Sequence, residues 1–214
     1  MRSVLIALVC LITCCSTAAS QTQINSSLFG FSLPSGFDIA LSGSETTSLY
    51  FFSEPGDFIG QGEELFLSGS NSNLSLQDNF DNGVSVTISG PGDFFTSDFF
   101  SASFAAPFNN LLTPGLFPNA TRFPFQSASE PGLSFSGNGR GSNQLTGQFE
   151  ILEIDYDALG EPIVLDAIFE QHSEGSAPGL FGRIRVNATA VPEPSSLVLC
   201  TGGFVLMQLR RRRK

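Results

Sequence analysis

The chain has no tryptophan, two tyrosines and one histidine. Tryptophan and tyrosine usually form the aromatic surfaces that bind sugars, so the composition does not resemble such a surface. Phenylalanine is instead abundant, with 22 residues. Because phenylalanine adds apolar area without a polar group that needs a partner, this composition favours a β-sheet core.

Basic residues are scarce between residues 21 and 194, where Arg122, Arg140, Arg183 and Arg185 stand against all 20 acidic residues of the chain. An acidic body of this kind repels phosphate backbones and anionic lipid. We therefore predict that nucleic acid is not a partner. The negative charge suits solubility, and calcium is the one cofactor that it could help to bind.

The same stretch lacks cysteine, because Cys10, Cys14, Cys15 and Cys200 lie in the two apolar terminal segments. The body therefore has no disulfide, no thiolate metal site and no cysteine nucleophile of its own.

Residues 1–20 have the pattern of a secretory signal peptide. Arg2 supplies the charge, residues 4–12 are apolar, and the small residues up to Ala19 and Ser20 suit cleavage by signal peptidase after either one. The apolar run is too short to span a bilayer core of about 30 Å. The alternative is acylation of one of the two adjacent cysteines at 14 and 15, as in a lipoprotein.

Residues 191–214 combine three parts in order. Pro192-Glu193-Pro194 breaks regular structure, residues 197–209 are mostly apolar, and the chain stops at a basic cluster formed by Arg210, Arg211, Arg212, Arg213 and Lys214. Because such a cluster does not cross the membrane, we expect a hydrophobic helix that leaves these cations in the cytoplasm and the body outside.

These three parts resemble the PEP-CTERM sorting signal of exported proteins from exopolysaccharide-producing bacteria. The resemblance implies an inner-membrane intermediate that exosortase, a membrane protease, processes near Pro192-Glu193-Pro194 before the protein reaches the cell surface, the extracellular matrix or a biofilm. It implies the secretion machinery as a partner and exopolysaccharide as a candidate partner. Since residues 197–209 are shorter than the roughly 20 apolar residues of a spanning helix, a simple tail anchor without processing is the alternative.

Residues 48–190 alternate short β-favouring runs with Gly, Pro, Asn and Ser, and no stretch has a sustained helical period. We predict an all-β domain, an antiparallel β-sandwich of jelly-roll type, preceded by a variable segment at 21–47. The predicted strands are 48–53, 64–68, 84–89, 98–104, 122–126, 133–136, 148–157, 163–171 and 182–189.

Two predictions concern particular strands. The runs at 148–157 and 163–171 are joined by a short loop that contains glycine, which predicts a hairpin. In the run at 182–189, Ile184 and Val186 alternate with Arg183 and Arg185. This period of two predicts a strand with one face in water.

From about residue 49 to residue 188 the body resembles a family of uncharacterised secreted bacterial domains. The resemblance is carried by YFFSEPGDFIG at 50–60, TRFPFQ at 121–126, SGNGRG at 136–141 and FEQH at 169–172. In that family one cysteine follows the Gly-Arg-Gly element and another follows Gln-His. The resemblance therefore implies that Ser142 and Ser173 replace a lost disulfide and are neighbours. The family brings no known activity.

His172 is the only histidine, so an imidazole metal site or acid–base centre would have to contain it. On a continuing strand Glu170, His172 and Glu174 share one face, and Arg140 is a candidate to join them as a polar site. A structural histidine beside a turn is the simpler interpretation, because no G-x-S-x-G element is present. We predict no catalytic residue.

Two segments carry the oxygen groups of a calcium loop. Residues 78–83 read Asp-Asn-Phe-Asp-Asn-Gly and residues 155–157 read Asp-Tyr-Asp. The first lacks the last acidic residue of an EF-hand loop, and its Asn-Gly pair is typical of a hairpin turn. We predict a turn and a solvated strand end instead of metal sites.

Residues 137–141, Gly-Asn-Gly-Arg-Gly, superficially resemble a phosphate-binding loop. They lack the following helix and the Lys-Ser/Thr pair that such loops need. We predict a tight turn.

Two functional hypotheses follow. The first is an exported surface or matrix protein with a binding or structural role; the alternative is an exported carbohydrate-active hydrolase or lyase on a jelly-roll scaffold. A pocket that gathers His172, acidic residues and Arg140 would favour the enzyme.

Overall fold

The structure is a computed structural model that describes residues 29–91 and 98–190. A short helix, α1 (Ile39–Ser42), precedes ten strands, and a 3-10 turn lies at Pro107–Asn109. The strands are β1 (Ser48–Ser53), β2 (Glu64–Ser68), β3 (Asn73–Asp78), β4 (Val84–Ser89), β5 (Phe99–Ala105), β6 (Gly115–Arg122), β7 (Gly132–Gly137), β8 (Leu145–Tyr156), β9 (Pro162–Ser173) and β10 (Gly179–Val186).

The prediction of an all-β body is confirmed. The strands predicted at 48–53, 64–68 and 84–89 have the expected bounds, and five others differ only near their ends. The strand predicted at 122–126 is wrong, because β6 ends at Arg122 and residues 123–125 turn. Pro124 has no N–H to donate to a strand ladder. The edge strand β3 was missed because its polar residues give little β signal.

All ten strands belong to one sheet, in the order β2-β1-β10-β9-β8-β6-β7-β5-β4-β3. Neighbouring strands are antiparallel except β6 and β7, which run parallel where Thr121 and Arg122 pair with Gly132 and Leu133. The predicted hairpin is present as β8 and β9. The sheet curls until its edge strand β3 lies beside β9 and β10. The sandwich and the C-terminal helix stay predictions.

The main core lies inside the curl and explains the abundance of phenylalanine. Phe100 and Phe135 stack with ring centroids 5.6 Å apart, and Phe104 contacts Phe149 at 5.2 Å. Aliphatic side chains complete this core, among them Leu49, Val86, Ile88, Leu133, Ile151, Leu165 and Ile184.

One polar side chain, Gln171 on β9, is fully buried within this core. Its Oε1 accepts a hydrogen bond from the N–H of Phe135 at 2.8 Å, and its Nε2 donates to the carbonyl of Phe135 at 3.0 Å. Because β6 pairs only with the first residues of β7, this carboxamide supplies the partner that a neighbouring strand would otherwise give.

A second apolar cluster lies on the opposite face of β1, β9 and β10, where residues 29–47 cover the sheet. Phe31 and Phe37 pack there against Tyr50, Ile168 and Phe181. Every residue of β10 is consequently buried.

The prediction that one face of the strand at 182–189 lies in water is therefore wrong. Arg183 and Arg185 are only 5% and 1% exposed. The alternation of the strand is present, but the second face meets residues 29–47 instead of water.

The residues just before β1 and just after β10 lie side by side. The N–H of Ala188 donates to the carbonyl of Thr46 at 2.9 Å, and the N–H of Asn187 donates to Thr47 Oγ1 at 2.9 Å. None of the helices in the ranges 29–91 and 98–190 has the length and hydropathy of a membrane span.

Candidate binding site

His172 lies on β9 with both ring nitrogens occupied. Its Nε2 lies 2.9 Å from Glu170 Oε1, and its Nδ1 lies 2.9 Å from the carbonyl oxygen of Ala177. Glu170 also accepts a hydrogen bond from Gln148 Nε2 at 2.6 Å. Because acceptors hold both nitrogens, the ring offers no open lone pair to a metal ion or to a substrate proton.

The surroundings of His172 also favour its protonated form. Partial burial acts to lower the pKa of His172, but the hydrogen bond and charge of Glu170 and the carbonyls of Ala177 and Pro178 outweigh it and raise the pKa above its ordinary value. A protonated imidazole can donate to Glu170 and Ala177 at once. His172 therefore ties the end of β9 to the following loop.

The other two members of the predicted polar site point to different partners. Glu174, which has a φ of 55°, accepts hydrogen bonds from the backbone N–H groups of Asn143 and Gln144. Within the part of the chain that the structure describes, Arg140 makes no ion pair or hydrogen bond with Glu170 or His172. The structure thus joins Glu170 to His172 and does not bring Arg140 or Glu174 to them.

Arg140 closes the tight turn predicted at 137–141. Its backbone pairs with Gly137, and the intervening Asn138 and Gly139 have φ values of 50° and 78°. Asn138 Oδ1 accepts a hydrogen bond from the N–H of Phe99 at 2.9 Å, which fixes the turn against β5.

Ser142 and Ser173 are neighbours. Their hydroxyl oxygens lie 2.7 Å apart, and Ser173 is fully buried. This contact is what the family resemblance requires of a former disulfide. The loss of that disulfide stays an inference from the resemblance.

The oxygen groups of residues 78–83 serve the turn between β3 and β4. Asn79 Oδ1 accepts hydrogen bonds from the N–H groups of Asp81 and Gly83, both at 3.1 Å. A Cβ at Gly83 would lie 2.0 Å from the carbonyl oxygen of Phe104, so the turn requires glycine there. Across residues 29–91 and 98–190, no group of three or more acidic or histidine side chains is placed to hold a metal ion.

A buried charged cluster lies between the sheet and residues 29–47. Asp166 accepts hydrogen bonds from both Arg183 and Arg185, with nitrogen–oxygen distances of 2.8 to 3.0 Å. Arg185 also donates to backbone carbonyls at Gly43, Glu45 and Thr189. The cluster therefore fastens the segment before β1 and the segment after β10 to the same sheet, a role that the sequence did not indicate.

The structure contains a cleft that the sequence did not indicate either. It has a volume of about 230 Å³ and lies between three loops, at residues 79–83, 106–114 and 123–131. We call it the loop cleft. Phe80, Asp81, Phe108, Asn109, Gln126 and Glu130 are among the residues that line it.

Hydrogen bonds join the three loops in pairs. Gln126 Nε2 donates to Asp81 Oδ2 at 2.8 Å, and Asn82 Nδ2 donates to the carbonyl of Asn109 at 2.7 Å. The N–H of Phe108 donates to the carbonyl of Ala128 at 2.6 Å. Because each loop is tied to the other two, the walls of the loop cleft are held in place before any ligand arrives.

Exposed aromatic rings border the loop cleft. Phe80 is 75% exposed and Phe108 is 67% exposed, and both line the cleft. Phe125, which is 71% exposed, lies between the lining residues Pro124 and Gln126 and stacks under the guanidinium of Arg122 at 4.6 Å.

The backbone of Phe108 is also unusual. Its φ is 59°, and the next residue, Asn109, has a φ of 53°. Asparagine tolerates this left-handed region, whereas a bulky side chain rarely adopts it. The fold therefore holds an aromatic ring in solvent at a conformational cost.

The charged side chains that line the loop cleft are both acidic, Asp81 and Glu130. Hydrogen bonds from Ser127 and Thr121 lower the pKa of Glu130, which keeps its carboxylate ionised at neutral pH. Asp81 is held by Gln126, and none of the lining residues is basic.

The sequence does not indicate this site, because its members come from three separated loops. Phe80 lies inside the segment 78–83, which the sequence predicts to be a turn, and Gln126 lies in the segment 122–126, which it predicts to be a strand. One sequence feature could have indicated the site. Phenylalanine occurs there among Asn, Pro and Gly residues between strands, where its side chain cannot enter the core of a sheet.

The predicted cleavage residues Ala19 and Ser20, the motif Pro192-Glu193-Pro194 and the terminal basic cluster lie outside the described residues. No protein-family model, curated protein or solved structure matches the chain.

Proposed function

We propose that the chain is an exported protein of the cell surface or extracellular matrix that acts by binding, with the loop cleft as its binding site. The exposed left-handed Phe108 carries the binding part of the proposal. Its conformation costs about 1–3 kcal/mol, and a ring that is 67% exposed gains little from burial. Strain of this kind is typical of residues held for contact with a ligand.

The export part of the proposal is supported by the two ends of the sequence. The first 20 residues have the order of a signal peptide, and residues 191–214 have the three parts of a PEP-CTERM signal. We propose that signal peptidase cuts after Ala19 or Ser20 and that an exosortase-like protease acts near Pro192-Glu193-Pro194.

The exit of the tail from the body agrees with such processing. Arg185 holds the carbonyl of Thr189, and Thr189 N and Oγ1 donate to the carboxylate of Glu153 at 2.8 and 2.6 Å. In the sequence the Pro-Glu-Pro element follows shortly after this anchored residue, so few residues separate the body from the proposed cleavage region.

The hydrolase or lyase alternative gains no support from the geometry. Glu170 and Ala177 engage both ring nitrogens of His172. None of these three residues lines the loop cleft. A catalytic base must be able to reach the proton that it removes.

We also propose that the curled sheet has the shape of a jelly-roll-like sandwich. The approach of β3 to β9 and β10 supports it, because one edge of the sheet then lies against strands from its other half around one core.

Mass spectrometry of the mature protein, recovered from the medium, the cell surface and the membrane, tests the export part. We expect a form that starts at residue 20 or 21 and ends near Pro194. Replacement of Pro192 and Pro194 by alanine should leave the tail attached and the protein in the membrane.

The control for this experiment is the double substitution of Ser195 and Ser196 by alanine, which changes neighbouring residues and should leave processing intact. Recovery of the uncut chain from the cytosol would contradict export. An intact tail in the unmodified surface protein would support the simple tail anchor instead.

A further inference from the structure

We propose that the loop cleft binds an uncharged oligosaccharide, through stacking on Phe80 and Phe108 and hydrogen bonds to the carboxylates of Asp81 and Glu130. This inference names the ligand class of the binding site proposed above and rests on that site, but it does not depend on export or on processing of the tail.

The aromatic residues of the cleft determine the apolar part of the ligand. Phe80 and Phe108 present largely exposed rings to the same cleft, so a ligand must offer a flat apolar face to each. Phe80 also contacts Phe123, with ring centroids 5.4 Å apart, which supports its ring from one side. A supported ring with a free face is suited to stacking, because it loses little freedom when a ligand covers it.

The acidic residues of the cleft determine the polar groups of the ligand. Asp81 and Glu130 are carboxylates and accept hydrogen bonds without donating any when ionised. Hydrogen bonds from Gln126 and from Ser127 and Thr121 already fix their positions. A ligand must therefore carry several hydrogen-bond donors beside its apolar faces, which describes the hydroxyl groups and C–H faces of a sugar ring. The composition alone argued against a sugar-binding surface, but in the loop cleft exposed phenylalanines take the place of the usual tryptophan and tyrosine.

The charge of the cleft argues against anionic ligands. Two carboxylates and no basic lining residue repel phosphate, sulfate and uronate groups. A small organic cation would be better served by an enclosed cage of rings. Here both rings lie mostly in solvent instead of enclosing a cavity, which suits a chain of sugar units longer than the cleft.

The test is native affinity electrophoresis of the whole chain, purified in mild detergent, in gels that contain dextran, laminarin, mannan or alginate. We expect slower migration in at least one gel made with an uncharged polysaccharide and none in alginate. Because neutral sugars are not held by charge, the retardation should persist when the salt concentration is raised from 50 to about 200 mM.

Two cleft variants and one control assign the retardation to the site. Phe80→Ala removes one ring, and Phe108→Asn removes the other with a residue that tolerates the left-handed backbone. Each should weaken binding about tenfold, which is the loss expected for one stacking contact. Phe58→Ala removes a 48% exposed ring outside the cleft and should change nothing. Cooperative thermal unfolding of each variant shows that it is folded. Phe108→Asn should unfold at or above the melting temperature of the parent, because asparagine relieves the left-handed strain.

Several results would overturn the proposal. They are no retardation in any uncharged polysaccharide, retardation that Phe80→Ala and Phe108→Asn leave unchanged, and retardation in alginate alone. A rise in melting temperature with tetramethylammonium but with none of the polysaccharides would also overturn it in favour of a cationic ligand. None of these results bears on export, which is tested separately by mass spectrometry of the two ends of the mature protein.

Discussion

Asp166 and Arg183 form a bidentate ion pair, with both hydrogen bonds 2.8 Å long, on a sheet face that residues 29–47 cover. Both side chains are almost entirely buried. A buried pair of this kind is stable only while its partners stay together, because an unpaired charge in the interior has lost its hydration.

Asp166→Asn should therefore lower the free energy of unfolding by about 3–5 kcal/mol. The substitution leaves Arg183 and Arg185 without their shared carboxylate. Urea unfolding of the variant and the parent measures the difference. Glu161→Gln, which removes one negative charge at an exposed position, is the matched control and should change the free energy by less than about 0.5 kcal/mol. Equal losses in the two variants would show that net charge, and not the buried pair, is responsible.

The contact between Ser142 and Ser173 predicts a disulfide in the double variant Ser142→Cys/Ser173→Cys. The serines lie 31 residues apart in sequence, and closing a loop of that length stabilises a protein by roughly 3–4 kcal/mol in the chain-entropy treatment. We expect a rise in melting temperature of about 5–15 °C under oxidising conditions, which a reductant reverses.

The two single cysteine variants are the controls for this disulfide and should show no reductant-dependent shift. Free thiols that persist in the oxidised double variant would contradict the geometry of the pair.

Gln171→Met should destabilise the core by about 2–4 kcal/mol, because it leaves the N–H and the carbonyl of Phe135 buried without partners. Methionine keeps the length of the side chain, so the loss reports the two hydrogen bonds. Gln77→Met, on the exposed side of β3, is the control in the same urea titration. A loss no larger than that of the control would mean that Phe135 finds other partners.

The ion pair of His172 with Glu170 predicts a pH-dependent contribution to stability. The folded pKa of His172 is raised above the unfolded value of about 6.5. The pair therefore stabilises the folded state fully below about pH 6.5, and this contribution disappears as the pH rises through the raised pKa. His172→Gln should thus cost more stability at pH 5.5 than at pH 9.

Because His172 is the only histidine, its imidazole proton signal can be followed by NMR without assignment. Glu170→Gln should lower the pKa of His172, since it removes the charge that raises it. A pKa at or below 6.5 in the parent protein would contradict the ion pair.

The local features of the fold could be predicted from sequence. The runs of alternating residues and the Gly, Pro and Asn residues between them located most of the strands, the β8–β9 hairpin and the turns at 78–83 and 137–141. These features depend on neighbours along the chain, which a sequence pattern records directly. Edge strand β3 is the exception, because an edge needs little apolar surface.

By itself, the sequence determined the β character, the acidic body without cysteine and the export pattern of the two ends. Only the tertiary structure decided that Arg183 and Arg185 are buried, that β10 has no face in water, and that three loops meet in a cleft bordered by phenylalanine. The reason is physical. The alternation of a strand shows that its two faces differ, but which of them water reaches depends on segments far away in sequence. In this chain residues 29–47 cover that face.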